Sequence, residues 1–164
     1  MEITNPHKEF LHLCVVEQMS YEDISKELNV PRKTLSEWYE ELKEERIILS
    51  EIRGLWSRKR MEPHISFMDF HKWYLDQDKK CFYCEIPEDK LVELINSEKV
   101  KTNRARGRKL ELDRKDAESL LYDNLDNFVF ACYWCNNAKT DTFTSIEFKE
   151  VGKEFKKIWE KRGL

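Results

Sequence analysis

Apolar residues recur at three- and four-residue intervals through most of the chain. Residues 7–18 carry Phe10, Leu11, Leu13, Cys14 and Val15 as an apolar set, which predicts an amphipathic helix. Ser20 opens a second helix, with Asp23 completing an S-x-x-D variant of the capping box and Ile24 and Leu28 facing inward. Asn29-Val30 makes a tight connection. Pro31 suits the first turn of a third helix running to about Glu45, with Leu35, Trp38 and Leu42 on its buried side. Ser66 caps a predicted helix to about Gln77, whose Phe67, Phe70, Trp73 and Tyr74 form an aromatic stripe suited to a core. A short helix over 87–96 follows. Leu110-Glu111-Leu112-Asp113 and Phe128-Val129-Phe130-Ala131 then break the helical period and predict two strands. A last helix from near Ser145 is expected to bury Phe148, Val151, Phe155, Ile158 and Trp159.

Two short helices around a tight turn form a helix-turn-helix pattern. The stretch YEDISKELNVPRKTLSEWYEEL resembles helix-turn-helix segments of bacterial and phage proteins. That resemblance implies that Arg32, Lys33, Thr34 and Ser36 face a DNA groove. Glu37, Glu40, Glu41, Glu44 and Glu45 favour the other reading, a small bundle for protein contact, because they repel phosphate.

Charge sharpens this picture. Residues 1–52 carry 12 acidic and 6 basic side chains, residues 53–164 carry 20 and 23, and the chain is −3 overall. A uniformly basic nucleic-acid binder is excluded. Two basic clusters stand out: Arg53 with Arg58-Lys59-Arg60, in a predicted linker, and Lys99–Lys109. The second holds Arg104, Arg106, Arg108 and Lys109 and is either a solvated loop or a phosphate-binding segment. At 164 residues and 19.9 kDa the chain suits one ordinary domain or two small ones. Its mean hydropathy of −0.75, with no apolar run near the ~18–20 residues of a membrane helix and no signal-like start, leads to the expectation of a cytoplasmic protein.

Five cysteines in such a chain call for something other than disulfides. Four form two pairs, Cys81-Phe-Tyr-Cys84 and Cys132-Tyr-Trp-Cys135, with 47 residues between. A C-x-x-C turn aims two thiolates at one tetrahedral ion, so two of them complete a structural four-cysteine Zn2+ site. Cys14 sits on an apolar helical face and is expected to be core.

Knuckle, LELDRKD, DNFVF and CYWCNNAKTD follow in that order over roughly residues 66–150. The series resembles the zinc-stapled branch of the HNH, or ββα-metal, nuclease superfamily. The resemblance implies that Asp113 and Asn136 ligate a catalytic Mg2+ or Mn2+, that Asn127 ties the ββα loop together, and that Lys139 lies near a scissile phosphate. The family's usual base, a His after the metal-binding Asp, is Arg114 here. Arg114 cannot act as a base near neutrality but can clamp a phosphate. Tyr122, Asp116, His71 and His64 are the candidates for the base. Each residue also has an ordinary reading: Asp113 as a strand-end turn residue, Asn136 as a helix N-cap, Lys139 as a surface lysine, Tyr122 as core.

The expected architecture is α+β and mostly helical: a helix-turn-helix bundle over 1–52, a basic linker over 53–65 and a zinc-stapled ββα-metal domain over 66–164. The function it implies is a metal-dependent endonuclease acting on DNA. The alternatives are a non-catalytic zinc-stapled DNA-binding regulator and a protein-interaction adaptor.

Overall fold

The computed structural model describes residues 4–59, 61, 63–100, 106–117 and 124–163. The chain divides into two compact units, Met1–Leu75 and Asp76–Leu164.

The first unit is helical. Helix α1 spans Asn5–Leu11, with Pro6 in its first turn, and continues as a π-helical turn over His12–Val16. The expected single helix is thus widened at its end, where Glu17 N–H reaches His12 O and Met19 N–H reaches Leu13 O. Gln18, at φ 56°, stops it. Helix α2, Tyr21–Leu28, is capped as expected: the Ser20 hydroxyl accepts from Asp23 N–H, and Asn29 closes the far end in the left-handed region. Helix α3 spans Arg32–Glu41 and ends sooner than its periodicity suggests. The reason is Leu42, which leaves helical geometry and buries its side chain with Phe10, Leu11, Leu13, Ile24 and Leu35 in the core of this unit.

Helix α4, Lys43–Arg58, then carries on through residues expected to be linker. Its end is held by packing rather than by propensity. Ile52 is buried, Arg53 Nε donates to Val16 O at 3.0 Å, and Trp56 Nε1 donates to Ile65 O at 2.9 Å. Arg60 lies outside the described residues. Helix α5, Phe67–Asp76, is capped by Ser66, whose hydroxyl accepts from Asp69 N–H at 3.1 Å. It buries Phe67 and Phe70 and leaves Trp73 and Tyr74 half-buried.

The second unit holds helix α6 (Glu88–Asn96), strands β1 (Glu111–Arg114) and β2 (Phe128–Ala131), α7 (Tyr133–Lys139) and α8 (Ser145–Lys161). The strands pair antiparallel, Leu112 opposite Phe130 and Asp113 opposite Val129. The apolar runs that predicted them are buried, all four residues of β2 included. Thr144 and Glu147 cap α8 reciprocally in a complete capping box. This helix buries Phe148 and Trp159, while Val151 and Ile158, expected in the core, are exposed.

Gly152 takes their place at the contact. A Cβ built on Gly152 would stand 2.4 Å from the carbonyl oxygen of Tyr83, so only glycine lets α8 lie against the segment around the first cysteine pair. Gly152→Ala is expected to lower the stability of the zinc-loaded protein by about 1–3 kcal/mol, the usual cost of overpacking. Thermal denaturation measures this, and an unchanged midpoint would show that the contact is slack.

Candidate metal centre and active site

The four paired cysteines converge. Cys81, Cys84, Cys132 and Cys135 are buried, and their sulfur atoms all lie within 4.8 Å of one another. A Zn–S bond of about 2.3 Å sets tetrahedral S–S edges near 3.8 Å, and the Cys84–Cys132 separation is 3.7 Å. The donor set and its size fit a structural zinc ion.

Backbone geometry places each sulfur. Glu85 N–H closes the first knuckle on Cys81 O, Cys81 N–H donates to Ile86 O, and Glu85 takes φ 60°. Phe82 N–H donates to Phe130 O at 2.7 Å, which stitches this knuckle to β2. The second knuckle grows out of β2 directly, with Cys132 as the N-cap of α7 and Cys135 in its first turn. Trp159 of α8 donates its indole N–H to Cys84 Sγ at 3.4 Å, an outer-shell contact that orients the ligand.

Beside this staple, two faces meet. Alternate residues of a strand share a face, and so do residues three apart on a helix. Glu111 and Asp113 of β1 accordingly pair with Asn136 and Lys139 of α7. Asn136 Nδ2 donates to Glu111 Oε2 at 2.7 Å, and Lys139 Nζ stands 3.3 Å from Asp113 Oδ2 and 3.5 Å from Oδ1. Asp113 is buried and also accepts from the Tyr83 hydroxyl at 2.6 Å. Burial, and next the hydrogen bond to Asp113, push the Tyr83 phenol well above its ordinary range, so it stays a donor.

Two expectations change here. Lys139, expected beside a scissile phosphate, is fully buried. A buried ammonium needs acceptors, and Lys139 finds them in Asp113 and in the carbonyls of Arg114 and Thr140, at 2.8 and 3.4 Å. Asn136 is no N-cap, because α7 begins three residues earlier.

Asn127 is bonded on both sides of its amide to the backbone of Asp116. Its Oδ1 accepts from Asp116 N–H at 2.9 Å and its Nδ2 donates to Asp116 O at 3.1 Å. Lys115 N–H adds a bond to Asn127 O at 2.8 Å, extending the β1–β2 ladder past Arg114. Together these bonds fix the start and end of the β1–β2 connection. Arg114 is half-buried at the end of β1. Tyr122 and Arg104 lie outside the described residues. His64 and His71 belong to the first unit, where burial lowers the His71 imidazole pKa against Phe67.

Of the residues expected on DNA, Arg106 pairs with Glu111 at 3.0 Å and covers the Tyr133 ring, Arg108 donates to Asn96 Oδ1 at 2.9 Å, and Lys109 is exposed. Gly107 turns between them at φ 89°, with Trp134 packed against it. In the first unit, Arg32 and Lys33 are exposed at the start of α3, Thr34 is half-buried, and the Ser36 hydroxyl is spent on Arg32 O.

Asp113 and Glu111 on one face of β1 offer carboxylate oxygens, and Asn136, bonded to Glu111, offers an amide oxygen. Such a set suits a hard cation like Mg2+, which keeps several waters and takes few protein ligands. Sequence reasoning missed Tyr83 and Glu111. Glu111 was readable as the residue two before Asp113 on one strand face, whereas the Tyr83 contact spans 30 residues and carries no local signal.

No protein-family model matches the chain, and no curated protein matches it. Among solved structures it is similar to PacI, a rare-cutting HNH restriction endonuclease, at 26% identity and a TM-score of 0.53 over 68% of this chain and 78% of that one. The likeness agrees with the two-stranded ribbon running into a helix and with the four-cysteine staple beneath it. This mostly helical α+β chain therefore has the HNH, or ββα-metal, fold, with a four-cysteine cluster that fits a zinc staple.

Proposed function

We propose that the protein is a divalent-metal-dependent endonuclease that hydrolyses phosphodiester bonds in duplex DNA. The observation that carries this reading is the buried β1 carboxylate Asp113, which meets the α7 face bearing Lys139 and Asn136 and accepts from Tyr83 of the first cysteine knuckle. Asp113 and Asn136 would hold Mg2+ or Mn2+, and such an ion supplies Lewis-acid stabilisation of charge developing on the phosphate.

The chain's own groups do the rest. Arg114 clamps a non-bridging oxygen of the phosphate. Water attacks phosphorus as the bond to the leaving oxygen breaks; Tyr122, ionised to its phenolate with Arg114 lowering its pKa, accepts the proton that the water loses, and the leaving oxygen takes a proton from solvent. Asn127 holds the β1–β2 connection so that Arg114 and Asp113 keep their spacing. Lys139 acts through Asp113 rather than on substrate, because its ammonium is buried.

DNA is held by Arg104, Arg106, Arg108 and Lys109 and, through a helix-turn-helix over 1–52, by Arg32, Lys33, Thr34 and Ser36. The expected setting is a cytoplasmic restriction, phage-defence or mobile-element enzyme. Among the described residues no helix is long and apolar enough to cross a membrane. The second reading, a non-catalytic DNA-binding regulator, draws on Arg114 standing where a histidine base is usual. Cleavage of duplex DNA with Mg2+ present or withheld separates the two.

The present partners of Arg106 and Arg108 do not oppose a role in binding. Exposed ion pairs are worth ~0–1 kcal/mol and exchange readily for phosphate. Neutralising Arg104, Arg106 and Arg108 is expected to weaken binding to all sequences and to flatten the log–log salt dependence by about 0.9 per lost phosphate contact. Affinity measured across a salt series tests this, and an unchanged slope would make the segment a solvated loop.

A further inference from the structure

Tyr83 occupies an unusual place. It lies between the two cysteines of the first knuckle, is buried, and sends its hydroxyl 2.6 Å to Asp113 Oδ2. Two packing contacts fix its ring and a third its backbone. Phe148 stands edge-on at 5.2 Å, Phe82 edge-on at 5.3 Å, and Gly152 admits the Tyr83 backbone against α8. The flanking sulfurs belong to the metal cluster, so the hydroxyl is held from both sides.

Lys139 cannot set the direction of Asp113 in the same way. It stands 3.3 and 3.5 Å from the two oxygens, close to evenly, and its shortest bond, 2.8 Å, goes to Arg114 O, so it singles out neither oxygen of Asp113. The Tyr83 bond is short, single and directional. It occupies one lone pair of Oδ2 and, among the described residues, leaves Oδ1 with only the longer contact to Lys139.

We propose that Tyr83 is a positioning residue that couples the two metal sites: the zinc knuckle, through the Tyr83 hydroxyl, orients Asp113 for the catalytic ion. The inference rests on Asp113 being a ligand of that ion. It has a physical precedent in outer-shell hydrogen bonds, whose loss costs metal affinity about 10–100-fold. Phenylalanine keeps the ring and its packing and removes only the bond.

The test uses the full-length, zinc-loaded protein and Mn2+ as the probe, with binding measured by electron paramagnetic resonance and cleavage measured against Mn2+ concentration. Tyr83→Phe should keep one zinc per chain and wild-type DNA affinity. Its Mn2+ affinity should fall about 10–100-fold, and cleavage should recover most of its rate at saturating Mn2+. A purely structural tyrosine would lower rate and stability together without moving the Mn2+ midpoint. In the Asp113→Asn background the same Tyr83→Phe change should have no further effect on Mn2+ binding, since the cycle isolates the pair.

Should the phenylalanine variant lose its zinc, the wild-type protein still decides the question. The 13Cζ resonance of Tyr83 should shift as Mg2+ saturates the protein, and a resonance unmoved at saturation overturns the proposal. Unchanged Mn2+ affinity in Asp113→Asn would refute Asp113 as a ligand and with it the proposed function. Lowered affinity in Asp113→Asn together with wild-type affinity in Tyr83→Phe would refute the coupling alone.

Discussion

Asp113→Asn is expected to abolish DNA cleavage while leaving zinc content and DNA affinity close to wild type. The loss should exceed the ~100-fold upper range for an outer-shell residue, because a ligand itself is removed. Asparagine is the informative substitution. Asp113 is the only carboxylate contacting the fully buried Lys139 among the described contacts, and it also accepts the Tyr83 hydroxyl. Alanine would strand both, and breaking a buried pair costs about 3–5 kcal/mol. Asp113→Ala should therefore lose stability as well as activity. Asp113→Asn keeps an acceptor for Tyr83 and a neutral oxygen for Lys139. Cleavage rates and melting temperatures of the two variants, read together, separate chemistry from folding. A folded Asp113→Asn protein that cuts at the wild-type rate would remove Asp113 from the reaction.

Loss of zinc should be more drastic, because it removes the second unit as a whole. Structural zinc contributes an apparent ~10–16 kcal/mol to small metallo-domains, more than the net stability of most domains. Among the described residues the sheet has two strands, and an isolated ribbon of that size is marginal in water. Chelation, Cys81→Ser or Cys135→Ser is expected to unfold β1, β2 and α7 together, release one zinc per chain and end activity. Zinc analysis with circular dichroism reads this directly. A folded chain purified without zinc would contradict the role of the cluster.

Much of this arrangement is visible in the sequence, and the reasons are local. Ser20, Ser66 and the C-x-x-C turns signal through neighbours three residues away, β1 through alternating apolar and acidic residues and β2 through an unbroken apolar run; the structure has each of them. The misses depend on residues far apart. Helix α4 persists past Ile52 because Val16 and Ile65 supply acceptors for Arg53 and Trp56. Val151 and Ile158 obey helical periodicity yet face outward, because close approach at Gly152 turns α8 onto the knuckle. Lys139 follows the family pattern in sequence, but the depth at which Asp113 sits decides where its ammonium goes. The role of Tyr83 becomes visible only when residues 83 and 113 are brought together.

An active, metal-dependent nuclease on this HNH fold cuts DNA only when a divalent ion is supplied. The most direct measurement is cleavage of a long duplex DNA by the zinc-loaded protein as a function of Mg2+ concentration, with Asp113→Asn in parallel. Cleavage is expected to rise and saturate with Mg2+, to vanish when Mg2+ is withheld, and to be missing from Asp113→Asn at every concentration. DNA that is bound by the wild-type protein yet stays intact at saturating Mg2+ and Mn2+ would contradict this expectation and leave a zinc-stapled DNA-binding protein.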